Sequence, residues 1–246
     1  MRAELHPDAR VDRTGGVAEL IEAEQLRPDA LLLRWAEAVE AGSGAGSAAA
    51  GQTVIEWTVA DFAAAARACA AELRRRGVTR GDRVAIMSGN SARRLAWQFG
   101  AWWIGAVEVS LNSELRGEML THCIEDSDPA LILLEAEFEG FLDGIAPGVP
   151  RASAEAPPPA VSSVEAAELD AAYGLVPASE LCTILYTSGT TGPSKGVMLP
   201  QGYFANMGAV FGAVLGMRSD DVGYFTLPFF HVDFHLVFCA AIETGA

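Results

Sequence analysis

From Thr58 to Leu134 the chain alternates short apolar runs of strand length with longer stretches whose apolar residues recur at helical spacing, and this alternation narrows the fold more than any other feature. Thr58 is a suitable N-cap for a helix over Val59 to Arg76, with Phe62, Ala66, Cys69 and Leu73 on one stripe and Gly77 as its stop. Arg83 to Met87 reads as a strand. A helix capped by Asn90 or Ser91 follows, carrying Leu95, Phe99, Trp102 and Trp103, and then a strand at Val107 to Leu111. Glu114 to Glu125, with Ser113 as its cap, predicts another helix, and Ala130 to Leu134 another buried strand. Strands that alternate with helices in this way favour parallel pairing, so the expected fold class is α/β, with largely parallel sheets flanked by helices.

The same reading resumes later with a strand at Leu181 to Tyr186, a short strand at Val197 to Leu199, a helix over Gln201 to Leu215, a strand at Val222 to Thr226 and a helix over Val232 to Ile242. Ala30 to Glu40 suits either period. Ala41 to Gly51 and the Pro-, Ala- and Ser-rich stretch from Ala146 to Ser163 read as exposed loops or linkers. The expected division is a flexible start over 1–16, a first α/β part over 17–145, a linker over 146–175 and a further segment of the same domain over 176–246.

A net charge of -15 repels phosphate backbones and anionic headgroups, which argues against nucleic acid as a partner and requires that any phosphate ligand be held locally. The first sixteen residues lack the apolar core of a signal peptide, and no apolar run has transmembrane length. The scattered Cys69, Cys123, Cys182 and Cys239 give no disulfide framework, and a cytoplasmic location is expected. Monomer and homodimer both remain open. Among the 17 basic residues Lys195 is the only lysine, a compact point charge in a chain that otherwise uses the planar fork of arginine.

Lys195 lies in the run Tyr186-Thr187-Ser188-Gly189-Thr190-Thr191-Gly192-Pro193-Ser194-Lys195-Gly196. Glycines let backbone N–H groups approach anionic oxygens, the hydroxyls of Thr187, Ser188, Thr190 and Thr191 add donors, and the ammonium adds charge. Because the run follows a buried strand and leads into another, a strand-tip polyphosphate loop fits better than a solvent-exposed Ser/Thr/Gly loop. The order Lys195-Gly196 excludes a P-loop, which needs Ser or Thr after its lysine.

The run from Leu185 to Val197 resembles the phosphate-binding motif of the adenylate-forming superfamily, which includes acyl-CoA synthetases, luciferases and peptide-synthetase adenylation domains. Gly81 to Ala85, Asn90-Ser91, Gly105 to Val107 with Leu111-Asn112, and Leu227 to His231 resemble the amino-terminal region of the same family, so the likeness covers roughly residues 55 to 245. Leu227 to Asp233 is most similar to acyl-CoA ligases of the carnitine-CoA ligase kind. Ser194 replaces the proline common before the lysine, and Gln201 a frequent histidine.

The resemblance implies the amino-terminal part of an acid-thiol ligase, with later motifs and a mobile carboxy-terminal domain not contained in this chain. It implies ATP, Mg²⁺ and coenzyme A as cofactors or co-substrates and a small-molecule carboxylic acid as the other substrate. Ser188, Gly189, Thr190, Thr191, Gly192 and Lys195 would hold the phosphates, Lys195 acting catalytically, and Thr187 would also meet the metal. His231 would line the acyl pocket, although its neighbours equally allow a core histidine bonded to backbone. His231, His235 and Cys239 recur at four-residue intervals, a zinc-ligand spacing that the surrounding phenylalanines disfavour. The competing readings are a non-catalytic nucleotide- or partner-binding module and an NTPase that releases orthophosphate.

Overall fold

The computed structural model describes residues 16–38, 52–173, 176–187 and 193–246. The flexible start expected over 1–16, apart from Gly16, and the Ala41 to Gly51 loop lie outside the described residues. After helix α1 (Gly16–Leu26), strands β1 (Leu31–Ala38) and β2 (Gln52–Thr58) form an antiparallel ribbon, which resolves the ambiguous Ala30 segment as strand. Trp35 and Trp57 meet edge to face across it, with ring centroids 5.3 Å apart.

The main sheet holds β3 (Arg83–Met87), β4 (Val107–Ser110), β5 (Leu131–Leu134), β6 (Arg151–Ser153), β7 (Leu181–Thr187) and β8 (Lys195–Pro200). Its order is β6-β5-β3-β4-β7-β8, parallel throughout except for the antiparallel β7–β8 pair. The strands connect through α2 (Val59–Arg75), α3 (Ala92–Trp103), α4 (Gly117–Ser127), a 3₁₀ turn (Ala136–Leu142) and α5 (Ser163–Tyr173), and α6 (Gln201–Leu215) and α7 (Val232–Thr244) follow β8.

Strand alternation splits the core into two layers. Val84, Ile86, Leu131 and Leu133 face a layer built with α1, α2, α3, α5 and α7, whereas Ala85, Met87, Val109, Ile132 and Leu134 face α4 and the 3₁₀ turn. The Trp97, Phe99, Trp102 and Trp103 group is buried core in the first layer. Helix α2 begins on a full capping box: Thr58 Oγ1 accepts the Asp61 N–H while Asp61 accepts the Thr58 N–H. It crosses α3 so closely that a Cβ on Gly100 would lie 2.6 Å from that of Cys69.

Three expectations need correction. The stretch 146–175 is not a free linker: β6 pairs with β5, and α5 buries Leu169 and Tyr173 against the first layer. Val222 to Thr226 is no strand, because nothing pairs with it among the described residues and Val222 and Tyr224 stand in solvent, 86% and 91% exposed. Helix α4 starts at Gly117 rather than Glu114, because Asn112 turns the chain first by accepting the Glu114 and Leu115 N–H groups.

Candidate active site

Adjacent strands β3 and β4 send their following helices to opposite faces of the sheet, α3 to the first layer and α4 to the second. Such a switch point opens a crevice beyond the carboxyl ends of the strands. Gly89 and Asn90 leave β3 at this edge, Asn112 follows β4, Glu135 follows β5 and Thr187 ends β7. Because β8 runs antiparallel, its first residue, Lys195, lies at the same edge as the register partner of Thr187.

Lys195 is exposed, and no ion pair holds it among the described residues. Thr187 is exposed too, its hydroxyl 3.5 Å from the Lys195 carbonyl. Ser188, Gly189, Thr190, Thr191 and Gly192 lie outside the described residues, so the structure supplies the two stems of the loop and not its crown. Both stems are tied to α4. Tyr186 Oη donates to Asp126 at 2.7 Å, and His122 Nε2 donates to the Ser194 carbonyl at 2.8 Å. Partial burial, reinforced by Asp126, raises the Tyr186 phenol above its ordinary range and keeps it a donor. Gly196 lets the β8 stem lie close on β7, since a Cβ there would come within 2.9 Å of Ile184.

The turn before α7 reaches this edge through Asn90, whose Nδ2 donates to the Leu227 carbonyl at 3.0 Å and whose Oδ1 accepts the Phe229 N–H at 2.8 Å. His231 stands at the N-terminus of α7, exposed, its ring 4.7 Å from that of Phe230. The core histidine is instead His235, buried and donating from Nε2 to the Phe229 carbonyl at 2.6 Å. Cys239 is likewise buried, and among the described residues no three His, Cys, Asp or Glu side chains are grouped to hold a metal ion.

Behind the turn lies a polar network that the sequence reading did not identify. Arg94, on α3, and Glu108, on β4, form a buried ion pair at 3.1 Å, with exposures of 1% and 0%. Arg94 also donates to Ser110 and, at 3.2 Å, to Gln98. Burial pushes the Glu108 carboxyl up against the pull of Arg94, Ser110 and Thr183, and pulls the Arg94 guanidinium down. Glu135 is raised as well, by burial first, although its Oε2 accepts the Gly89 N–H at 3.0 Å. The signal for this network was a glutamate inside the apolar run Val107 to Leu111.

The family model described as AMP-binding enzyme matches residues 37–246. The chain belongs to this adenylate-forming family. It is 29% identical over 189 residues to a long-chain-fatty-acid–CoA ligase, FadD13, of Mycobacterium tuberculosis (strain ATCC 25618 / H37Rv), covering 73% of this chain and 37% of that protein. It is 33% identical over 159 residues to the 2-succinylbenzoate–CoA ligase of Bacillus cereus (strain ZK / E33L), covering 63% of this chain and 30% of that protein. The fold matches the N-terminal domain of FACL13 from Mycobacterium tuberculosis with a TM-score of 0.73 at 23% identity, over 95% of this chain and 56% of that one. The chain thus spans well under half the length of these curated relatives. No helix among the described residues is long and apolar enough to cross a membrane.

Proposed function

We propose that this member of the AMP-binding family serves an ATP-dependent acid-thiol ligase reaction. The observation that carries the reading is the phosphate-loop sequence with the chain's only lysine at its end, mounted at the carboxyl edge of a parallel sheet beside a switch point. A carboxylate oxygen attacks the α-phosphorus of ATP, the bond to the β-phosphate's bridging oxygen breaks, and pyrophosphate leaves with the electron pair. The thiolate of coenzyme A then attacks the acyl carbon and expels AMP.

Charge grows on the leaving phosphates, so preorganised donors and a cation at the loop lower the barrier. Ser188, Gly189, Thr190, Thr191 and Gly192 supply the donors and Lys195 the charge. Thr187 suits Mg²⁺, because among the described residues its exposed hydroxyl is engaged only through a 3.5 Å contact and this metal keeps several waters and takes few protein ligands beside phosphate. When bound, Mg²⁺ neutralises phosphate charge. His231 and Phe230 line the acyl side. Cys69, Cys123, Cys182 and Cys239 are all buried, which accords with a reducing cytoplasm as the place of work.

Exchange of labelled pyrophosphate into ATP, measured across a panel of carboxylic acids with Mg²⁺, tests this reading. Acid-dependent exchange that falls about 100-fold or more in Lys195→Ala supports it. Release of orthophosphate in place of pyrophosphate would overturn it in favour of an NTPase, whereas ATP binding without exchange accords with a chain that spans well under half of its relatives' length.

A further inference from the structure

The backbone at Phe229 is held on both of its polar groups by side chains from elsewhere. Its N–H goes to Asn90 Oδ1 and its carbonyl to His235 Nε2, at 2.8 Å and 2.6 Å, while Asn90 Nδ2 takes the Leu227 carbonyl at 3.0 Å. Asn90 therefore pairs with residues 227 and 229 as a neighbouring strand would, across 137 and 139 positions of sequence. The Phe229 ring stacks on Phe234 with centroids 3.6 Å apart, and the His231 N–H closes the turn on the Pro228 carbonyl at 3.0 Å. Four hydrogen bonds and one ring stack over five residues leave the turn little freedom to place His231 elsewhere.

The proton on His235 follows from its neighbours. A carbonyl only accepts, so Nε2 carries the hydrogen that meets Phe229. The other ring nitrogen gives the same answer independently. Arg94 can only donate, and its Nη1 meets Gln98 Oε1 at 3.2 Å, which turns the amide Nε2 of Gln98 toward His235 Nδ1 at 3.5 Å. That amide nitrogen only donates, so Nδ1 accepts. Burial and the nearby Arg94 charge push the imidazole down to about 3, which keeps it neutral in this single tautomer. A one-directional chain of donors thus runs from the Arg94–Glu108 pair, whose carboxylate is on β4, to the turn. The turn is referenced to the sheet whose edge bears Thr187 and Lys195, and not to α7 alone.

The geometry points to Asn90 and His235 as positioning residues that fix the turn carrying Phe230 and His231, and so set the wall against which the acyl chain of the acid lies. The acyl role of that wall rests on the reading under Proposed function, whereas the placement of His231 does not.

The full chain, labelled with ¹⁵N-histidine, separates the two. His235 shows the neutral Nε2–H pattern and does not titrate between about pH 5 and pH 8. His235→Leu, which fills similar space without a donor, shifts the His231 ring signals with no ligand present. His235→Gln returns an amide donor toward Phe229 and restores them. Asn90→Ala, at an exposed position, shifts them as well and carries the test should His235→Leu fail to fold. His231 signals that stay in place in the folded variants would overturn the positioning role. With ATP and Mg²⁺ present, decanoate and benzoate then serve as probes. Where one of them perturbs His231, His235→Leu and Asn90→Ala bind it about five-fold more weakly, the worth of one hydrogen bond, and unchanged binding would refute the inference. Should neither probe perturb His231 in the unsubstituted chain while the ligand-free shifts occur, the acyl-pocket reading fails and the positioning stands.

Discussion

The buried Arg94–Glu108 pair allows a prediction in which the direction of each effect follows from burial. Arg94→Met leaves the Glu108 carboxylate at 0% exposure without its counter-ion, and its Oε2 already has no hydrogen-bond partner among the described residues. Breaking a buried pair from one side costs about 3–5 kcal/mol, because the remaining charge must be desolvated alone or neutralised. Glu108→Leu strands the guanidinium and costs a similar amount. The double variant leaves Ser110, Gln98 and Thr183 each short of a neutral partner but no buried charge unpaired, so it is more stable than either single variant. Urea unfolding of the four chains measures this coupling directly. The pH dependence adds a second check. In Arg94→Met the Glu108 carboxyl, already raised by burial, loses the charge that opposes the rise. The folded state then binds more protons than the unfolded one between the ordinary carboxylate range and the raised value. The variant therefore recovers stability as pH falls through that window, by at most about 1.4 kcal/mol per pH unit. A double variant as unstable as the sum of the singles, or an Arg94→Met chain that only weakens on acidification relative to the unsubstituted chain, would refute the argument.

Gly100→Ala places a Cβ within 2.8 Å of the Ala70 nitrogen and 2.9 Å of the Ala66 carbonyl, backbone atoms that cannot step aside. The overpacking penalty of about 1–3 kcal/mol exceeds the gain of about 1 kcal/mol in helix propensity, and a net loss in thermal unfolding is expected. His235, at about 3 in the folded chain against 6.5 ordinarily, leaves the unfolded state binding the extra proton between these values. Its contribution is complete above pH 6.5 and declines as pH falls toward 3, so His235→Gln flattens the acid limb of the stability curve by up to about 1.4 kcal/mol per pH unit. Tyr186→Phe removes the bond to Asp126 and weakens the chain by about 0.5–1.5 kcal/mol in urea, with Asp126→Asn added to it costing little more.

The α/β class, the bounds of β3 and the full length of α6 were legible because each rests on a local pattern: Arg83 to Met87 is apolar after its first residue, and Gln201 to Leu215 is closed by Gly216 in a left-handed conformation. Where the pattern was weak, the reading failed. A three-residue edge strand such as β6 buries too little to stand out from a Pro-rich surround, and α5 presents only Leu169 and Tyr173 to the core. Val222 to Thr226 has the composition of a strand, but a strand exists only where another backbone pairs with it.

The same division runs through the site. A phosphate loop must place consecutive backbone donors around one anion, so the chemistry proposed for Thr187 to Lys195 is written in contiguous residues. The residues that hold its surroundings obey no such constraint: Asn90 meets its partners 137 and 139 positions away, and Ser91 beside it serves the ordinary task of capping α3. A charge inside an apolar strand is the exception, because a buried carboxylate demands a partner wherever the chain can bring one. Glu108 carried that demand in the sequence, and α3, the helix that returns the chain to β4, offers Arg94 at its first turn and Gln98 one turn later. Read as a demand for a donor on the adjoining helix, Glu108 leads to Arg94, to Gln98 and then to His235, and so to a positioning network that no contiguous motif records.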